Sequence, residues 1–249
     1  MPDAGPAFSV DIARTPEDLR AAQALRYDVF VRELGGSGAG VDHAQGLECD
    51  DFDAHAAHLL LRDESRGAVV GVYRLMTEAH AQAAGRFYSE SEYDLTPLRQ
   101  SGRRLLELGR SCLHRDYRGG LALYHLWTAL SEYVAREGIE ILFGVASFHG
   151  TDVAALAEPL SLLHAAHLAP PELRVRARVY QPMDLIPSDQ IDRKRAIVGT
   201  PALIKAYLRL GGFVGDGAYV DHAFNTTDIC LILDTARMSD QQRRRYSGA

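Results

Sequence analysis

Residues 104–148 read RLLELGRSCLHRDYRGGLALYHLWTALSEYVAREGIEILFGVASF, and this stretch decides the fold class. Arg104–His114 has LLELGRSCL at its heart and reads as a strand. Tyr117-Arg118-Gly119-Gly120 breaks the pattern. From Leu121 to Arg136 the chain shows its strongest helical periodicity, with Leu123, Leu126, Trp127, Leu130, Tyr133 and Val134 on one face and Gly138 as the stop. Ile139–Phe148 follows as a buried strand. Strand, helix and strand in succession point to a sheet decorated with helices.

The same mixture extends outward in both directions. Toward the N-terminus, residues 7–12, AFSVDI, read as a short strand. Thr15 as N-cap and Pro16 at the first helical position open a helix predicted over Glu17–Leu34, which Gly35-Gly36 ends. A glycine-rich loop, Gly35–Gly40, leads to the acidic run at Glu48, Asp50, Asp51 and Asp53. Ala56–Arg62 and Ala68–Leu75 are apolar runs separated by Asp63-Glu64-Ser65-Arg66-Gly67, which is hairpin chemistry. Residues 79–101 are polar and read as loop with short helix. Toward the C-terminus the pattern predicts helices over Val153–His167 and Pro201–Leu210, and strands at Val175–Gln181, Gly212–Val220 and Asp228–Leu233. No linker or internal repeat is visible, so the reading is one continuous α/β domain over 1–249, with a polar C-terminal tail at 235–249.

Composition narrows the function. The 249 residues are 47% hydrophobic, ample for a core, and the net charge of −6 argues against a dedicated nucleic-acid binder. No apolar run approaches the ~20 residues a bilayer span needs, and the first twenty residues lack the basic start and apolar stretch of a signal peptide. The three cysteines, Cys49, Cys112 and Cys230, form no Cys-x-x-Cys pair. A cytoplasmic enzyme is the expectation.

The Gly-x-Ser-x-Gly, P-loop and His-Glu-x-x-His motifs are absent, and the glycines of 35–40 follow a helix where a dinucleotide fingerprint follows a strand. Two His-x-x-His pairs occur, His55/His58 and His164/His167. The first enters a strand, where residues three apart face opposite ways, so no metal site is expected. Charges set in apolar surroundings are more informative, because burying one is costly unless it is paired. Arg26 lies on or beside the apolar face of the first helix, Arg74 ends the strand AVVGVYRL, and Glu107 and Arg110 interrupt LLELGR.

Together these positions form an ordered frame: Leu-Arg26-x-x-Val-Phe30, then Glu48-x-Asp50-x-Phe52-Asp53, then Gly71-x-x-Arg74-Leu, then Glu107-Leu-x-Arg110. The frame resembles acyltransferases related to the GNAT superfamily, in the branch of acyl-homoserine-lactone synthases and bacterial ornithine-lipid N-acyltransferases. Gly144-Val-Ala-Ser147-Phe148 and the later Leu203-Ile-Lys205-x-Tyr207-Leu-Arg209 are similar to the ornithine-lipid side. The resemblance implies an α/β, GNAT-like fold with a mixed central sheet flanked by helices. It also implies transfer of a 3-hydroxyacyl chain from acyl carrier protein to the α-amine of ornithine, giving lyso-ornithine lipid.

No cofactor is expected to be bound. The acyl group would arrive on the phosphopantetheine of the carrier protein. Glu107 would take the amine's proton and Arg110 would hold Glu107 or the substrate carboxylate. Asp50 and Asp53 would meet the cationic side of ornithine, with Arg26 and Arg74 ordering them. Phe30 and Ser147 complete the substrate-binding set. Arg115, Arg118, Gly119 and Gly120 would meet the phosphopantetheine or the carrier itself. Tyr117 stands at the first position of that loop, where acetyl-CoA enzymes of the superfamily have Gln or Arg. Expected partners are acyl carrier protein, ornithine and, through the lipid product, the inner face of the membrane. Acylation of glutamine or lysine, lactone synthesis from S-adenosylmethionine, and a non-catalytic carrier-binding regulator remain the alternatives.

Overall fold

Thr15 sets the first helix as the sequence reading expects. Its hydroxyl accepts the Asp18 N–H while the Asp18 carboxylate accepts the Thr15 N–H, a reciprocal cap that starts helix α1 at Pro16–Arg26. The computed structural model describes residues 5–118 and 121–239. Strand β1 (Phe8–Ile12) precedes α1. After α1 come β2 (Val41–Asp42), β3 (Leu47–Glu48), β4 (Ala57–Asp63), β5 (Ala68–Thr77) and α2 (Glu78–Ala84). Next are β6 (Tyr93–Asp94), α3 (Thr96–Gln100), β7 (Leu105–Leu113), α4 (Leu121–Glu137), β8 (Ile141–His149) and α5 (Ala157–His167). The chain continues through β9 (Arg176–Ala177), α6 (Arg193–Gly199), α7 (Ala202–Arg209), β10 (Phe213–Val214), β11 (Tyr219–Asp221) and β12 (Thr226–Asp234).

These elements form two compact units, a division that the single-domain reading does not draw. The first holds residues through Gly85 with Leu108–Gly138; the second holds Arg86–Glu107 and the chain from Ile139. In the first unit the strand order is β1-β4-β5-β7. Strands β4 and β5 form the expected antiparallel hairpin, with a bulge at Leu61/Arg62. Ala22, Leu25 and Val29 meet Leu60 of β4, Val72 of β5 and Cys112 of β7, all buried. Period-2 alternation turns Leu61 and Gly71 to the other face. There a Cβ added to Gly71 would lie 2.7 Å from Leu113 Cδ2 and 2.9 Å from Leu126 Cδ1 of α4, so only glycine lets this helix approach so closely.

In the second unit, Leu105–Glu107 of β7 pairs in parallel with Ile141–Phe143 of β8, and β8 pairs antiparallel with β12 along its whole length. The sheet is therefore mixed, as expected. Strands β10 and β11 both pair with β12. Phe87 meets Phe143 edge-to-face at 5.1 Å, and Arg103 grips Asp234 with both terminal nitrogens.

Several boundaries depart from the sequence reading. The helix expected to run to Leu34 is α-helical only to Arg26 and π-helical over Tyr27–Glu33. Helix α5 starts at Ala157, after turns over 153–156, with Pro159 in its first turn. The strand expected at Val175–Gln181 is reduced to Arg176–Ala177, and Gly212–Val220 splits into β10 and the start of β11. Helix α6, capped by Asp192, lies where the sequence pattern predicts no element. Within the expected polar tail, Thr235–Arg237 forms a 3-10 turn and Met238 is buried; residues 240–249 lie outside the described residues.

Candidate active site

Arg26 ends α1 where the backbone widens into the π-helical turn, marked by the five-residue bond from Leu34 N–H to Val29 O at 3.1 Å. Its side chain is wholly buried. Nε donates to Glu48 Oε2 at 2.5 Å, and Nη1 and Nη2 donate to the two Asp53 oxygens at 2.7 Å each. Nη2 also donates to Glu48 O at 2.6 Å. Arg74, equally buried on β5, donates from Nη1 to Asp50 Oδ1 at 2.5 Å and to Asp53 Oδ1 at 3.0 Å. Arg110 on β7 donates from Nε to Glu48 Oε1 at 3.1 Å and from Nη2 to Asp50 Oδ2 at 2.9 Å. Three guanidinium groups and three carboxylates thus close a neutral network within the first unit, each acid bridging two arginines.

The arrangement orders itself by exposure. Glu48 and Asp53 are 1% and 4% exposed, whereas Arg110 and Asp50 are 13% and 19% exposed. The open edge of the network is therefore one cation beside one anion. Arg110 sits there at φ +49°, a left-handed backbone that costs an L-residue about 1–2 kcal/mol. Its ion pairs with Glu48 and Asp50 offset that strain.

Protonation follows from the partners. Burial pushes the Asp53 carboxyl upward, but the hydrogen bonds and charge of Arg26, with the charge of Arg74, outweigh it and hold Asp53 well below the usual carboxylate range. Asp50 shifts the same way: burial opposes, and Arg74 and then Arg110 prevail. His58 lies opposite Arg74 in the β4–β5 ladder and shares a 3.0 Å hydrogen bond between its Nε2 and the Asp53 carbonyl. A carbonyl only accepts, so Nε2 carries the proton. Burial lowers the His58 pKa, keeping the ring neutral. All three cysteine thiols are pushed upward, chiefly by burial, Cys112 to about 12, so none presents a ready thiolate.

Glu107 belongs to the second unit. It is 2% exposed, and its Oε2 and Oε1 accept the backbone N–H groups of Tyr88 at 2.8 Å and Ser89 at 2.6 Å. The carboxylate thereby fastens the 3-10 turn Tyr88–Ser91 to β7.

Residues 25–128 match the family model described as an acetyltransferase (GNAT) domain. Over 246 residues the chain is 56% identical to an L-ornithine N(alpha)-acyltransferase of Rhodobacter capsulatus, covering 97% of this chain and 95% of that one. The chain belongs to the L-ornithine N(alpha)-acyltransferase family. The member from Brucella abortus is 41% identical over 249 residues, covering 96% of this chain and 89% of that one. Among solved structures, an N-acyl amino acid synthase from uncultured soil microbes superposes with a TM-score of 0.56 at 12% identity, over 94% of each chain, a likeness of fold.

In this member of the L-ornithine N(alpha)-acyltransferase family, the structure gathers Arg26, Asp50, Asp53, Arg74 and Arg110 into one network. Phe30 is half-buried against the core cluster of α1, β4, β5 and β7. Ser147 is exposed on β8, in register with Asp228. Arg118 is already engaged, with both terminal nitrogens on Glu33, and Arg115 lies 3.8 Å from the same carboxylate. Gly119 and Gly120 lie outside the described residues. Glu48, present in the sequence motif without a site role, and His58, whose sequence signal is only half of a histidine pair, join the site through Arg26, Arg110 and the Asp53 carbonyl. Among the described residues, no group of three or more His, Cys, Asp or Glu side chains is placed to hold a metal ion.

Proposed function

We propose that this chain transfers a 3-hydroxyacyl group from the phosphopantetheine thioester of an acyl carrier protein to the α-amine of ornithine, releasing lyso-ornithine lipid and the carrier thiol. The observation that carries this reading is similarity, near full length, to relatives named for acylating the α-nitrogen of ornithine. The geometry supports it. The network's open edge offers Asp50 to an ammonium and Arg110 to a carboxylate, a pairing that suits a zwitterionic amino acid. Asp53, already holding Arg26, Arg74 and Gln23, serves by fixing Asp50's partner Arg74.

In this reading the ammonium first gives up a proton to a general base, a role for which Glu107 is proposed on its sequence motif alone, since both its oxygens accept backbone N–H groups. The free amine attacks the thioester carbonyl, the C–N bond forms, the C–S bond breaks, and the leaving thiolate takes up the proton that the attacking nitrogen sheds to become the amide. The raised thiols support direct attack over an acyl-cysteine intermediate. The test incubates the purified protein with 3-hydroxyacyl carrier protein and ornithine, lysine, glutamine or S-adenosylmethionine, reading thiol release and product mass. Release that depends on ornithine, with the mass of the N-acyl product, is expected. Release without an acceptor, or a preference for another amine, overturns the proposal.

A further inference from the structure

Helix α6 carries its charge and its apolar surface outward together. Over Arg193–Gly199 only Ala196 is buried; Arg193, Lys194 and Arg195 are exposed, as are Ile197 at 51% and Val198 at 74%. At 100° per residue Val198 falls opposite the face shared by Ala196 and the buried Thr200, flanked by Lys194 and Arg195. An aliphatic side chain there makes no use of the core. Lys205 of α7 donates to the Ile197 carbonyl at 3.2 Å, adding a fourth cation beside the apolar pair.

Helix α5 (Ala157–His167) packs under α6 and also anchors the chain that precedes it. Gly199 lies against Pro159 of α5, and two residues on, Ser161 Oγ accepts the N–H groups of Leu185 and Ile186 at 3.0 Å each. Leu185 is 38% exposed. Residues 193–205 hold four basic and no acidic side chains, in a chain whose net charge is −6; Asp184, Asp189 and Asp192 precede them in the chain, and Glu158 bonds Asp192. Of the acids, Asp192 turns its carboxylate onto the amides of Lys194 and Arg195, and its own N–H is held by Glu158.

We propose that α6 is a docking surface for an anionic lipid bilayer. Ile197 and Val198 would enter the interface, and Arg193, Lys194, Arg195 and Lys205 would meet lipid phosphates. Charge complementarity selects this occupant, and the proposed reaction adds a reason, since its product is an amphiphile that must reach a membrane; that second argument rests on the function proposed above. Among the described residues no helix is long and apolar enough to cross a membrane, so the contact is one of surface only.

The experiment is sedimentation of the full chain with vesicles of phosphatidylcholine alone and of phosphatidylcholine with phosphatidylglycerol, with no acyl donor or amino acid present. Its outcome is thus independent of the reaction. Binding to the anionic vesicles, weakened by salt, is expected. Each basic side chain near such a surface contributes about fivefold in partitioning, so Arg193→Gln/Lys194→Gln/Arg195→Gln should bind about a hundredfold more weakly. Val198→Asp, a change at a solvent-facing position, should also lose binding while keeping its thermal midpoint and its thiol release with soluble substrates. Absence of wild-type binding, equal binding to both vesicles, or variants that bind as wild type overturn the proposal. So does a loss confined to association with acyl carrier protein, which would make the surface a protein-docking site.

Discussion

Asp53→Asn tests whether the charge network holds the site together. The side chain keeps its shape but loses its charge, leaving three arginines facing two carboxylates in an environment where Arg26 and Arg74 are fully enclosed. One oxygen also becomes an NH2 group, a donor turned toward the donors of Arg26, Arg74 or Gln23. Breaking a buried ion pair by removing one partner costs about 3–5 kcal/mol. Total stability is commonly about 5–15 kcal/mol, and 1 kcal/mol moves the midpoint of a chain this size by about 2–4 °C. The variant should therefore melt about 6–20 °C lower, read by calorimetry. Adding Arg74→Gln restores equal charge, so the double variant should lose less than the sum of the two single losses, by about 1 kcal/mol or more. An Asp53→Asn protein within about 1 kcal/mol of wild type would falsify the network as a structural unit. It would then return Asp53 to the direct ornithine contact that the sequence suggests, where the signature is a raised KM for ornithine with stability unchanged.

The remaining predictions use the same geometry. Asp53 and Asp50 have folded-state pKa values below the unfolded ~3.9, so their contribution is present above that value and lost as pH falls through it toward the folded pKa. Urea midpoints should drop below about pH 4, and less steeply in Asp53→Asn. Glu107→Gln should lower turnover about 10²–10⁴-fold if Glu107 accepts the proton; turnover near wild type would leave it as the anchor of Tyr88 and Ser89 alone. Asp50→Asn should raise the KM for ornithine more than that for the acyl donor, and equal effects on both would remove Asp50 from the acceptor site. Gly71→Ala forces a Cβ to within 3.1 Å of Leu113, Leu126 and Leu61, so it should cost about 1–3 kcal/mol in denaturant titration.

What the sequence disclosed and what it withheld divide along a physical line. Arg26 and Arg74 stood out because a charge in an apolar pattern must find a partner, and both did so among the acids that the same reasoning marked. Thr15, the β4–β5 hairpin and the α4 periodicity were legible because caps, turns and amphipathic faces are local. The division of labour among the acids was not local. Asp50 and Asp53 are equivalent in the string, and they differ only because Arg26 closes both oxygens of Asp53 while Asp50 is shared between Arg74 and the half-open Arg110. Position 110 shows the same limit. Nothing in LLELGRSCL announces a left-handed residue in mid-strand, or that Arg110 pairs with Glu48 and Asp50, some sixty residues earlier. The strain there is sustained by long-range ion pairs, so weakening Glu48 or Asp50 should loosen the backbone at Arg110 before it unfolds the strand.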